Sequence, residues 1–405
     1  MEKRQSKKPL IRFPEFKDAW EHKQLNELLS EAKKRNEDLK YDKDEVLSVS
    51  GELGIVNQIE HLGRSYAGVS VHQYHVVDYG DIVYTKSPLK ANPFGIIKLN
   101  KGKAGIVSTL YAVYKVNQQT AYGPFIDYYF SLDANTNRYL RPLVKKGAKN
   151  DMKINNAYVL NDRIFAPTIL EQKRIASFFT VLDKKIAELK QKKSLLEQYK
   201  KGVMQKLFSQ ELRFKDDNGK EFPKWEIKKL GDLVEINSGQ SPSNYELYES
   251  GKYPFLKVEE LNNCSKYQIS SRQYSNSNRG LIEPFSIIFP KRGAAIMTNK
   301  VRINTESVLM DSNLMAIKSN DKILNVEFLY YKITFEELHK IADTSSIPQI
   351  NNKHIVPYKI AVPSIVEQKK IADFLHAIDN KIETIISQIQ QTQKYKKGLL
   401  QNMFI

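Results

Sequence analysis

The stretches "EQKRIASFFTVLDKKI" (171–186) and "EQKKIADFLHAIDNKI" (367–382) are nearly the same text, 196 residues apart. Sliding the chain against itself by that offset aligns 154–208 with 350–404 without a gap, and 21 of the 55 positions are identical. The match opens on Ile154-Asn155-Asn156 against Ile350-Asn351-Asn352 and passes through Pro167 and Pro363. It closes on "YKKGVMQKLF" (199–208) against "YKKGLLQNMF" (395–404). Solenoid repeats recur every 20 to 50 residues or so. A period of a whole domain plus a helix is an internal duplication instead. The fronts of the halves rhyme more weakly, "RFPEFKDAWEHKQLNELL" from Arg12 with "EFPKWEIKKLGDLV" from Glu221. Between fronts and shared segments the halves scarcely agree, as 65–95 set against 270–300 illustrates.

The shared segments read as helices. Apolar residues fall at Ile175, Phe179, Leu182, Ile186, Leu189 and Leu196 in the first copy, and at Ile371, Leu375, Ile378, Ile382, Ile385 and Ile389 in the second. Alternating steps of four and three make a heptad seam, as in a coiled coil. A proline shortly precedes each helix, and no glycine interrupts until Gly202 and Gly398. Packing of each helix on its own domain is the plainer alternative; the seam points to the other copy as partner. About 36 residues at 1.5 Å each make a helix of roughly 54 Å. A compact domain built from 209–349 has a radius of gyration of only about 14–15 Å. It is too small to join the helices end to start if they ran parallel, so antiparallel pairing is expected.

Lysine and arginine exceed aspartate and glutamate by 63 to 46, a formal charge of +17. That surplus points to a polyanionic partner, nucleic acid ahead of a membrane surface. Cys264 is the single cysteine, which excludes an intrachain disulfide and a cysteine-based zinc site within one chain. The basic start is not followed by a signal-peptide core, and apolar runs such as "PFSIIFP" (284–290) are too short to span a bilayer. The chain reads as cytoplasmic.

Catalytic patterns are sparse. No GxxxxGK[ST] occurs, so no P-loop is expected. Asn92-Pro93-Phe94 approaches the Asn-Pro-Pro-aromatic motif of amino-methyltransferases but lacks the second proline, and reads as a loop turn. Asp18 with Glu21-x-Lys23, and Asp217 with Glu226-x-Lys228, have metal-nuclease-like spacing. Both sit where the alternation reads as a strand leading into a helix, which favours a structural role. His72-x-x-His75 has no ligand set around it, and no metal is assigned.

Sequence readout requires Arg or Lys for guanine and Asn or Gln for adenine, while other basic groups hold phosphates. In the first half, Lys86, Ser87, Lys90 and Asn92 follow a predicted strand, "DIVYT". "RYLRPLVKKGAKND" adds Arg138, Arg141, Lys145, Lys146 and Lys149. In the second, Lys291, Arg292, Asn299, Lys300 and Arg302 follow the predicted strand "SIIF". Arg272, Tyr274, Arg279, Ser346 and Gln349 complete the set. A solvated surface charge or a phosphate contact is the blander role for any one of them. The lysines off the seam of the first helix suit DNA, a protein partner or solvent equally.

The two "P-x-I-x-E-Q-K-[RK]-I-A-x-F" segments (167–178 and 363–374) and the Trp-Glu pairs at Trp20-Glu21 and Trp225-Glu226 resemble the specificity subunits of Type I restriction-modification systems. The resemblance covers essentially the whole chain. It implies α/β (α+β) target recognition domains at 1–153 and 209–349, and repeated regions at 154–208 and 350–405 that carry two long antiparallel coiled-coil helices. An internal pseudo-two-fold duplication relates the halves. It further implies a non-catalytic, double-stranded-DNA-reading subunit whose domains each read one half of a bipartite, asymmetric site. The helices would set the gap and dock two methyltransferase subunits, and a restriction/translocase subunit would join the full complex. S-adenosylmethionine, ATP and Mg²⁺ would belong to those partners, with no cofactor on this chain. A stand-alone DNA-bridging protein and a self-sufficient methyltransferase or nuclease remain the rival readings.

Overall fold

Ile82-Val83-Tyr84-Thr85 and Ser286-Ile287-Ile288-Phe289-Pro290 are fully buried runs rich in β-branched and aromatic residues, the kind that packs well on a pleated surface. Each is a central strand of one of two sheets. The computed structural model describes residues 8–68, 70–146, 152–343 and 347–405. They form two compact units, Met1–Lys190 with Ser387–Ile405, and Gln191–Ile386. The limits of the units thus fall inside the two long helices, not at the ends of the repeated segments.

In the first unit, β1 (Glu21–Gln24) leads into a short helical turn and β2 (Leu29–Glu31). An antiparallel four-stranded sheet has the order β2, β5, β3, β4, with β3 at Ile82–Thr85, β4 at Ile96–Leu99 and β5 at Tyr111–Val116. Helix α1 (Gly123–Phe130) has Pro124 as its second residue, which suits the first helical turn because its missing N–H is not needed there. Helix α2 is Asp133–Leu140. β6 (Arg163–Ala166) returns to pair antiparallel with β1 and leads into the first long helix, Ile169–Phe208.

The second unit follows the same plan with different parts. β7 (Glu226–Lys229) pairs antiparallel with β13 (Lys359–Val362), which leads into the second long helix, Ile365–Met403. Its main sheet has five strands, in the order β8 (Val234–Ser238), β12 (Leu314–Ser319), β10 (Ser286–Pro290), β11 (Arg302–Asn304), β9 (Tyr267–Gln268), and only the β9–β11 pair is parallel. Helix α3 (Val326–Glu336) is capped by Asn325, whose side chain accepts from the Phe328 N–H at 2.9 Å.

Both cores are closed by the long helices. In the first unit Ile175, Ala176 and Phe179, from the start of the first helix, and Leu400, Met403 and Phe404, from the end of the second, pack with Trp20, Tyr84 and Phe125. In the second unit Ile371, Ala372 and Leu375, from the start of the second helix, and Val203, Leu207 and Phe208, from the end of the first, pack with Trp225, Phe289 and Phe328. Two ion pairs cross between the helices, Lys396 to Asp183 in the first unit and Lys200 to Asp379 in the second. Start against end in both units is the expected antiparallel pairing. Of the seam residues, Ile175, Phe179, Ile186, Ile371, Leu375, Ile378, Ile382, Ile385 and Ile389 are buried, and Leu182, Leu189 and Leu196 are half-buried. The helices therefore serve both as partners of one another and as walls of the domains, joining two roles that the sequence offered as alternatives.

This arrangement explains where the repeat is strict. None of positions 187–198 matches its counterpart in 383–394, and every identity inside the helices lies nearer an end. Each core needs one "EQK-x-IA" start and one "YKKG" end, so both ends are constrained twice while the middles are not.

Candidate nucleic-acid interface

Each domain is seated on its helix by the Glu-Gln of the repeated segment. Glu171, almost fully buried, accepts two hydrogen bonds of 2.7 Å from Arg12 and one of 3.2 Å from the Trp20 indole N–H. Glu367, also buried, accepts from Arg213 at 3.1 and 2.8 Å. Each carboxylate lies in the first turn of its helix, where the macrodipole favours negative charge, and holds its arginine's pKa above the ordinary value. Gln172 donates to the carbonyls of Pro167 and Thr120 and accepts from the Tyr122 N–H; Gln368 does the same with Pro363, Ile323 and Asn325. The loop that launches α1 or α3 is thereby tied to the long helix.

These partners were missed in the sequence because they stand at other offsets. Arg12-Phe13 and Arg213-Phe214 are 201 residues apart, and Phe13 and Phe214 pack edge-on against Phe178 and Phe374. "FIDYY" (125–129) and "FLYYK" (328–332) are 203 apart and share Phe-aliphatic-x-Tyr. Phe125 and Phe328 meet Trp20 and Trp225 in the same edge-on way. An ungapped comparison at 196 passes over all of them.

The surfaces beyond these seats carry the candidate DNA-reading residues. After β3 the chain turns sharply. Leu89 and Asn92 exchange main-chain hydrogen bonds, and the Gly95 N–H donates to the Asn92 carbonyl. Gly95 has φ +92°, and a Cβ there would lie 1.9 Å from the Thr85 carbonyl oxygen, so only glycine closes this loop. Ser87 and Lys90 are exposed on it and Lys86 is half-buried. The Asn137 amide donates to the Ala91 carbonyl at 2.9 Å, which attaches the loop to α2. Arg141 and Lys145 follow α2 and are exposed; Lys146 pairs in the short ribbon with Met152, and Lys149 lies outside the described residues.

In the second unit Arg292 stands opposite Gln349 in an antiparallel bridge. The Gly293 N–H donates to the Pro348 carbonyl and the Ile350 N–H to the Lys291 carbonyl, each at 2.9 Å. Lys291, Arg292 and Gln349, 57 residues apart in sequence, thus share one loop cluster. Arg279 is exposed, and Lys300 and Tyr274 are half-buried, the last within a short strand; Ser346 lies outside the described residues. Each basic loop is felt by its neighbours. Burial, then the charges of Arg35 and Lys86, hold the His75 imidazole down to about 4. Burial, then the charge of Arg292, lowers the Lys291 ammonium from the usual lysine range. A phosphate oxygen would relieve that cost.

Five of the expected DNA-binding residues are bonded within the protein itself. Asn92 is buried and closes its turn. Arg138 donates to the Ile405 carbonyl at 2.8 Å and to Asn135 at 3.1 Å. Asn299, at φ +49°, donates to the Thr334 carbonyl and accepts from the Leu338 N–H, joining the loop to the end of α3. Arg302 lies within β11 and donates to the Val301 carbonyl, with its Nε buried. Arg272 pairs with Glu260 at 2.6 Å and Glu259 at 3.6 Å. Each has a partner within its own unit, and spacing along the chain does not reveal such partners.

The nuclease-like spacings are structural pairs: Glu21 with Lys23, Glu226 with Lys228, and Asp217 with Lys370. Among the described residues no group of three or more His, Cys, Asp or Glu is placed to hold a metal ion, and no helix is long and apolar enough to cross a membrane.

Residues 223–392 match the family described as the Type I restriction modification DNA specificity domain. The chain is 28% identical over 268 residues to the putative type I restriction enzyme MjaX specificity subunit of Methanocaldococcus jannaschii, covering 64% of this chain. The match spans 62% of that relative's own length. A crystal structure of a Type-I restriction-modification system S subunit from M. genitalium has the same fold, with a TM-score of 0.59 at 14% identity over 98% of this chain and 99% of that one. A chain from a structure addressing complex assembly and conformational transition of the type I R-M system superposes with a TM-score of 0.57 at 18% identity, covering 95% and 96%. The resemblance carried by the two "EQK" segments is therefore borne out: residues 223–392 match the specificity-domain family, and the chain is similar over much of its length to type I restriction enzyme specificity subunits.

Proposed function

We propose that the chain is the non-catalytic DNA-reading subunit of a Type I restriction-modification complex, each unit reading one half of a bipartite, asymmetric double-stranded site. The observation that carries this is the seat built twice from the same helix ends beneath two unlike domains. The two seats share one Glu-Gln plan, while unlike loops, Lys86–Lys90 and Lys291–Arg292 with Gln349, give the domains different bases to read. The long helices act as the spacer between half-sites and present two similar surfaces, hence two methyltransferase subunits. A restriction/translocase subunit joins them. S-adenosylmethionine, ATP and Mg²⁺ serve those partners, which flip and methylate the base.

The test is to map methylated bases in the host genome with and without this chain's gene. Methylation at one split, asymmetric motif disappears with the gene if the reading is correct. Unchanged methylation refutes it. So does cleavage or methyl transfer by the isolated chain given only DNA, Mg²⁺ and S-adenosylmethionine.

A further inference from the structure

Each unit contains a bracket in which one aspartate of a long helix holds the other helix and the recognition domain together. In the first unit Asp183 takes an ion pair from Lys396 of the opposite helix and, on its other oxygen, a 2.8 Å hydrogen bond from the Tyr128 hydroxyl of α1. In the second unit Asp379 takes Lys200 at 2.5 Å and the Tyr331 hydroxyl of α3 at 2.7 Å. The bridging lysine also lies over the tyrosine ring, 5.2 Å from the centroid for Lys396 and 5.1 Å for Lys200. A further lysine from the same domain approaches each ring, Lys101 at 5.1 Å and Lys266 at 4.4 Å. Both rings are buried.

The helix ends belong to the strict repeat, but the tyrosines do not, since they are 203 residues apart and lie in the dissimilar interiors. The same three-way junction is nevertheless completed in both units. Apolar seams alone tolerate a slip by one heptad, about 10.5 Å along the axis. A lysine–aspartate pair is satisfied at one register only, and the tyrosine fastens the domain's helix to the same carboxylate.

We infer that Tyr128 and Tyr331, through Asp183 and Asp379, are positioning residues that set the DNA gap by locking helix register and domain seat at one point. This deepens, and rests on, the proposed two-half readout. Neither tyrosine is assigned to touch DNA.

The test selects full-length chain on a randomised duplex library and sequences the bound fraction for the unaltered chain, Tyr128→Phe, Tyr331→Phe and Asp183→Asn. A core variant, Leu329→Val, serves as a control for general loosening. The unaltered chain should return two half-sites at one gap. The bracket variants should return the same bases while discrimination between that gap and one base pair more or less falls at least fivefold; Leu329→Val should keep the gap. Bracket variants that fold, by circular dichroism, and keep full gap discrimination overturn the inference alone. So does equal broadening in Leu329→Val. A single contiguous motif from the unaltered chain overturns the two-half reading itself.

Discussion

Replacing Glu171 by alanine removes a buried carboxylate and strands two donors. The Arg12 guanidinium, with only 12% of its side chain exposed, loses both 2.7 Å bonds, and the Trp20 indole N–H loses its acceptor. Leaving a buried charge unpaired costs about 3–5 kcal/mol. In a unit of about 200 residues each kcal/mol moves the melting midpoint by roughly 2–4 °C. Glu171→Ala should therefore lower it by roughly 10 °C. The second unit supplies an internal comparison. Glu367 is equally buried, but the Trp225 indole nitrogen has no hydrogen-bond partner, and Arg213 keeps a 2.7 Å bond to the Pro223 carbonyl. Glu367→Ala should cost less, by about 1–2 kcal/mol. The double variant Arg12→Met with Glu171→Leu removes both charges and should recover most of the loss. Urea titration followed by circular dichroism measures all three. A loss under about 1 kcal/mol for Glu171→Ala, or an equal or larger loss for Glu367→Ala, refutes the assignment of the seat to these bonds.

His75 should make stability depend on pH. Folding depresses its pKa from 6.5 to about 4, so its contribution is full above pH 6.5 and drains as pH falls through 4, by about 3 kcal/mol in all. Urea titrations at pH 7, 5.5 and 4 measure it, and His75→Gln should flatten that dependence; an unchanged slope removes His75 as its source. Arg292→Ala should weaken DNA binding by about 1–3 kcal/mol and relax base preference in one half-site only. Binding to duplexes altered in one half at a time checks this, and loss of preference in both halves counts against independent readers. Deleting 187–193 together with 383–389 shortens each helix by about 10.5 Å, so the preferred gap should contract by about three base pairs. An unchanged gap removes the helices as its ruler.

Much of the architecture was legible because it rests on periodicity. The four-and-three spacing from Ile175 to Leu196 and from Ile371 to Ile389 marks helices whatever surrounds them, and the buried runs 82–85 and 286–290 mark central strands. The candidate site was legible only as loops. Lys86 and Arg292 were found as basic residues after such strands, but nothing along the chain shows that Arg272 pairs with Glu260 or that Arg138 donates to the Ile405 carbonyl. Polar side chains take partners from whatever folding brings near, and sequence separation carries no record of that.

By itself the sequence determined the duplication, the paired helices and the surplus of positive charge, because each depends on local pattern or on a sum over residues. Only the tertiary structure decided that each core borrows one end from each helix, that Glu171 and Glu367 are the anchors of the domains, and that Asp183 and Asp379 each bind a lysine and a tyrosine at once. Those facts arise from contacts between segments up to about 390 residues apart. Such contacts exist only once burial has forced the segments together and required every enclosed charge to find a partner.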